Sequence, residues 1–88
     1  MKEYLKEKAH QLPLTPGVYL MKDATDTIIY VGKAKKLKNR VSSYFINSNQ
    51  HSRKTMRLVK QIIDFDVLHT DTELDALLLE CQLIQQYR

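Results

Sequence analysis

Two short triplets, Gly17-Val18-Tyr19 and Tyr30-Val31-Gly32, set a pair of phenols into a chain of 88 residues. The second triplet runs straight into Lys33-Ala34-Lys35-Lys36-Leu37-Lys38-Asn39-Arg40. Toward the other end a lone carboxylate, Glu80, stands among leucines. A phenol can orient or deprotonate a water, and an arginine can grip a phosphate through two parallel hydrogen bonds. A single carboxylate suits Mg²⁺, which keeps most of its waters and shares its remaining positions with substrate phosphate. Together these residues outline a small site for cutting a phosphodiester. Each has a plainer reading beside it: strand aromatics for Tyr19 and Tyr30, a surface charge for Arg40, an ion pair for Glu80, strand punctuation for Gly17 and Gly32.

The elements that must position them follow from pattern. Residues 1–12 read as a short helix with Leu5, Ala9 and Leu12 on one side, ended by Pro13 and Pro16. Val18 to Lys22 and Ile28 to Val31 read as strands about the polar turn Asp23-Ala24-Thr25-Asp26-Thr27, giving a hairpin. Symmetric pairing about Ala24 and Thr25 places Tyr19 opposite Tyr30 on one face, whereas an odd loop would send them to opposite faces. A helix is expected from about Lys35 to Phe45, and Lys33, Leu37, Arg40 and Tyr44 step by helical spacing along one stripe. A polar loop follows over Ile46 to Ser52, including Asn47, Ser48, Asn49 and Gln50. A basic helix is marked by Met56, Val59, Lys60 and Ile63, then a strand by Phe65 to His69. Thr70 and Glu73 form a Thr-x-x-Glu capping box for a last helix. The order α-β-β-α-α-β-α predicts an α+β fold, a small antiparallel sheet flanked by helices.

On the last helix, Gln82, Gln85, Gln86 and Asp75 fall on one side and the remaining arc is apolar. Glu80 falls inside that arc. A carboxylate on a largely buried face costs several kcal/mol unless paired, neutralised or bound to a metal. Cys81 shares the arc, and a buried, inert thiol is expected.

Composition sets outer limits. An apolar share of 43% and a charged share of 27% fit one soluble globular domain. No apolar run is long enough to span a membrane, and no signal peptide opens the chain, so a cytoplasmic domain is expected. His10, His51, His69 and Cys81 share no metal-ligand spacing, which argues against zinc. The net charge is only +4, but no Asp or Glu occurs between Asp26 and Asp64, and nine of the fourteen basic residues lie in that window. Such a block is either a solvated face or a polyanion-binding surface.

Taken together, Gly17-Val18-Tyr19, Tyr30-Val31-Gly32-Lys33-Ala34-Lys35, Asn39-Arg40-Val41, Ser43-Tyr44-Phe45 and Ala76-Leu77-Leu78-Leu79-Glu80 resemble the GIY-YIG nuclease family. The likeness is nearest to the N-terminal nuclease domains of bacterial excinuclease C subunits and covers nearly the whole chain. It implies a three-stranded antiparallel sheet flanked by helices. It also implies a catalytic set of Tyr19, Tyr30, Arg40, Lys33 and Tyr44, with Glu80 as ligand to a single Mg²⁺ or Mn²⁺. The implied activity is metal-dependent cleavage of DNA, specifically the incision 3′ of a lesion during nucleotide excision repair.

On that basis Tyr19 is expected to be the general base, its pKa lowered by Lys33 and Arg40, with Tyr30 orienting the water or the phosphate. Lys35, Lys36, Lys38, Arg53, Lys54 and Arg57 would hold the DNA backbone without reading sequence. The family pattern continues past this helix to a Pro-x-x-Asn segment, so residues 1–88 are expected to be one monomeric domain from the N-terminal part of a longer protein. The other excinuclease subunits would bind elsewhere on that protein. Two rival readings remain: a non-catalytic DNA-binding or docking module, and a nuclease of the same family outside repair.

Overall fold

Neither Pro13 nor Pro16 can extend a helix, and α1 (Glu3–His10) stops short of both. The extended stretch they create has a second use. The carbonyls of Thr15 and Pro13 accept the amides of Leu37 and Lys38, at 2.9 and 3.1 Å. Those bonds satisfy the opening donors of α2 (Leu37–Ser42) and explain why it begins at Leu37, two residues later than its apolar spacing predicts. Its last turn tightens into a 3₁₀ turn, Ser43–Phe45. The remaining elements are β1 (Gly17–Lys22), β2 (Ile28–Ala34), α3 (Arg53–Gln61), β3 (Asp64–His69) and α4 (Glu73–Tyr87). The computed structural model describes residues 2–46 and 51–87. The expected loop residues Asn47, Ser48, Asn49 and Gln50 lie outside them.

The sheet is antiparallel with β1 in the centre, in the order β2-β1-β3. Successive side chains of β1 alternate between its two faces. Tyr19 and Met21 enter a core with Leu5, Leu37, Val41, Phe45, Ile62 and Phe65, supplied by α1, α2, the 3₁₀ turn, the approach to β3 and β3 itself. Val18 and Leu20 join Val31 and Ala76 beneath α4. The expected α+β architecture is therefore the observed one, with helices on both faces of a three-stranded sheet.

The hairpin register differs from the symmetric pairing. Tyr19 lies opposite Gly32, and Tyr30 lies opposite Met21. The turn spans residues 23–27, an odd number, built on the Asp23 carboxylate, which accepts the amides of Thr25 and Thr27. Asp26 takes a left-handed φ of 62°. An odd turn alone would part the two tyrosines. A β-bulge restores them to one face: pairing jumps from Met21↔Tyr30 to Lys22↔Ile28, leaving Ile29 as the extra residue.

α4 also departs from expectation. Its cap is Thr72, whose hydroxyl accepts the amide of Asp75 at 3.0 Å, in place of Thr70. The apolar arc is mostly not buried. Ala76 is its one buried residue and Leu79 and Leu83 pack in part, while Leu74 and Leu78 are 63% and 61% exposed. Cys81 is exposed as well. A single helix lying on a sheet covers one side of itself, and the apolar residues of α4 extend well round the other.

Candidate active site

Tyr19, on the central strand, is 1% exposed, and its ring passes over Gly32 on the neighbouring strand. A Cβ on Gly32 would collide with the phenol, so only glycine fits there. Gly17 is needed for a similar reason: a Cβ would stand 2.5 Å from the Leu68 carbonyl oxygen and 2.7 Å from Leu37 Cδ1.

Three tyrosine rings gather over this spot. The centroids of Tyr19 and Tyr30 are 6.1 Å apart, and those of Tyr19 and Tyr44 are 5.6 Å apart. The Tyr19 and Tyr44 hydroxyls are hydrogen-bonded at 2.7 Å. Arg40 Nη2 donates to the Tyr44 hydroxyl at 3.0 Å, and its guanidinium lies 4.8 Å from the centre of the Tyr44 ring. The result is a continuous chain from Arg40 through Tyr44 to Tyr19, carried by α2, the 3₁₀ turn and β1. Tyr30 stands at its open side, 39% exposed.

Burial holds the Tyr19 pKa above its ordinary value of 10.0, and the Tyr44 hydrogen bond and the Arg40 charge pull down without overcoming it. The expected lowering is therefore reversed. Tyr44 is also pushed up, by burial and by its bond to Tyr19.

Lys33 does not join this cluster, nor does it belong to a helical stripe. It sits in β2 opposite Val18, so its side chain takes the α4 face, where Nζ lies 3.5 Å from Glu73 Oε2. That contact gives Glu73 a different partner from the cap expected of it. The main chain of Lys33 matters more. Its N–H donates to Glu80 Oε2 at 2.8 Å, at the free edge of the sheet. Among the described residues no lysine or arginine pairs with the Glu80 carboxylate. Since Gly32 lies under Tyr19 and Lys33 is the next residue, the carboxylate and the buried phenol approach strand β2 from its two sides. A half-buried carboxylate with one oxygen held by an amide, and no cation partner among the described residues, fits a divalent ion that takes one carboxylate and several waters.

The basic residues form walls around the cluster. Lys33, Lys35, Lys36, Asn39 and Arg40 line a hollow of about 460 Å³. Arg53, Lys54 and Arg57 line another of about 560 Å³, which reaches Ile29 beside Tyr30. Lys38 is half-buried in α2 and lines neither. One site neighbour escaped the sequence reading. His51 Nε2 lies 2.9 Å from the Ser43 carbonyl, in a hollow that also touches Arg40 and Tyr44. The sequence places it in the expected polar loop Ile46 to Ser52, so no periodicity ties it to Arg40.

A tyrosine pair on adjacent strands, an arginine one helix later and a carboxylate at the sheet edge define a GIY-YIG domain. The description "UvrC-like GIY-YIG domain" matches residues 15–88, and the chain belongs to that family. UvrABC system protein C of Desulfitobacterium hafniense (strain Y51) is 58% identical over 85 residues, 97% of this chain. The protein of the same name from Caldicellulosiruptor saccharolyticus is 56% identical over 84 residues, 96% of the chain. In both cases the chain spans 14% of the relative's length. Among solved structures, the N-terminal GIY-YIG endonuclease domain of Thermotoga maritima UvrC, bound to its catalytic magnesium, superposes with a TM-score of 0.87. It is 36% identical, covering 100% of this chain and 94% of that one.

Proposed function

We propose that this chain is a divalent-metal-dependent endonuclease domain that hydrolyses a DNA phosphodiester, and that it makes the 3′ incision of nucleotide excision repair. The observation that carries the reading is the Glu80 carboxylate, without a cation partner among the described residues, at the strand whose other side bears the Arg40–Tyr44–Tyr19 chain. The similarity to UvrABC system protein C and to a magnesium-bound UvrC domain supports it. By the same similarity, residues 1–88 act within a longer cytoplasmic protein, on damaged duplex DNA and beside the other excinuclease subunits.

A Mg²⁺ or Mn²⁺ ion on Glu80 would supply stabilisation of phosphoryl and leaving-group charge. The remaining work belongs to the chain's own groups. Arg40 binds the scissile phosphate and balances its growing negative charge, held in place by Tyr44. An in-line water attacks phosphorus as the bond to the leaving oxygen breaks. We read the base differently from the sequence-based expectation. Tyr19 is buried and its hydroxyl is already occupied by Tyr44, whereas Tyr30 is the ring open to water. We therefore give Tyr30 the contact with the attacking water and Tyr19 the task of fixing Tyr44 and Arg40. Lys33 contributes through its amide, by aiming Glu80. Lys35, Lys36, Lys38, Arg53, Lys54 and Arg57 hold the flanking backbone through charge.

The test is plasmid nicking with Mn²⁺ or Mg²⁺, using the chain both alone and within its full-length protein. Glu80→Ala and Tyr30→Phe are expected to fall to background. Full nicking by Glu80→Ala would remove the metal role. Salt-dependent binding without nicking by the full-length protein would favour a DNA-docking module instead.

A further inference from the structure

Beside Arg40 lies a second hollow of about 300 Å³, sharing Arg40 and Ser43 with the lysine-lined one. Besides the apolar Ile46, it is lined by Arg40, Ser43, Tyr44, His51, Ser52 and Thr55. We propose that it is a second phosphate subsite, holding the backbone phosphate next to the one cut; this rests on the nuclease reading above.

Three observations carry the proposal. The lining contains a guanidinium, an imidazole and several hydroxyls but no carboxylate, and no Asp or Glu occurs anywhere between Asp26 and Asp64. An anion entering there meets donors without a like charge to repel it. Next, the hollow shares Arg40 and Tyr44 with the tyrosine cluster, so a strand whose scissile phosphate rests on Arg40 brings a neighbouring phosphate to its mouth. Finally, the lining groups are held in place. The Ser43 carbonyl can only accept, so His51 Nε2 carries a proton and the ring is fixed against the 3₁₀ turn that bears Tyr44; its imidazolium form keeps Nδ1–H as a second donor for an anion. Ser52 Oγ accepts the Thr55 amide and donates to Thr55 Oγ1, both at 3.1 Å, which leaves the Thr55 hydroxyl hydrogen free for a ligand.

Thr55→Glu tests this directly. It completes a Ser-x-x-Glu capping pair with Ser52, which favours α3, while placing a carboxylate at the hollow. Affinity for a short duplex oligonucleotide is measured without metal across a salt series. Gln85→Glu, exposed on α4 across the sheet, is the control of equal charge. Thr55→Glu is expected to bind about tenfold more weakly at low salt, with the salt slope reduced by about one phosphate contact. Equal affinity and slope in Thr55→Glu and Gln85→Glu would overturn the subsite. If Thr55→Glu lowers Tm, His51→Gln replaces it, since its amide keeps a donor for the Ser43 carbonyl but loses the imidazole. Nicking is scored separately with metal. A reduced slope with no nicking in the parent sinks the hydrolytic reading alone, and an unchanged slope with intact nicking sinks the subsite alone.

Discussion

The ring of Tyr19 rests on the bare Cα of Gly32, closely enough that a methyl group there would overlap the phenol. This contact locks the central strand to the edge strand that carries both Tyr30 and the amide bound by Glu80. Gly32→Ala must displace Tyr19 or open the strand pair. Overpacking of this kind costs about 1–3 kcal/mol. A misplacement near 1 Å at a catalytic group costs on the order of a hundredfold in rate. Urea denaturation and nicking of the same protein should therefore show a modest loss of stability and a much larger loss of activity.

Tyr19 and Tyr44 should behave as a unit. Tyr44→Phe leaves the buried Tyr19 hydroxyl without its partner and removes the acceptor of Arg40. An orphaned buried hydroxyl costs about 1–3 kcal/mol. Removing both hydroxyls together leaves no such orphan, so the double Phe variant should be less destabilised than the sum of the singles. A double-mutant cycle read by denaturant midpoint checks this, and strict additivity would contradict the hydrogen bond.

Alkaline pH should unfold the domain through the same pair. Tyr19 has a folded-state pKa raised above 10.0 by burial. A raised pKa gives stability that is complete below the unfolded value and is lost as pH rises from there toward the folded one. Stability should hold flat below about pH 10 and fall above it, because the unfolded chain releases the proton first. Tyr19→Phe should make that fall shallower, measured by thermal melts from neutral to strongly alkaline buffer.

Metal should stabilise the fold through Glu80. A ligand that binds only the native state raises stability by about 2.7 kcal/mol at a hundred times its Kd. Tm should climb with Mn²⁺ or Mg²⁺ in the parent and stay constant in Glu80→Ala. An equal rise in both would place the ion elsewhere.

Cys81 should label fully with a maleimide reagent in the folded protein, because it lies on the exposed side of α4. Labelling that needs denaturant would contradict that placement.

The element order was legible because local signals agreed: prolines after α1, a polar turn between β-branched runs, helical spacing around Leu37 and Val41. The site was legible as a set of residues more than as an arrangement. Tyr19, Tyr30, Arg40 and Tyr44 do come together, but periodicity misplaced Lys33 because the strand continues through it to Ala34. The register was not readable, since the bulge depends on how the Asp23 turn closes and not on any one residue's preference. α4 misled because an apolar arc reports what a helix would bury, while the amount buried depends on the elements packed against it. His51 reaches the site through tertiary folding alone, where spacing carries no signal.

The bulge at Ile29 has a consequence for insertions and deletions. Five residues in the turn and one in the bulge bring Tyr30 back to the face of Tyr19. Removing a single residue from 23–27 would send Tyr30 to the face of α4 unless the bulge disappeared with it, although every side chain of the candidate site would still be present. Chain length between the two triplets is thus as much a part of the site as the tyrosines themselves, and a relative with a different loop should compensate for it in even steps.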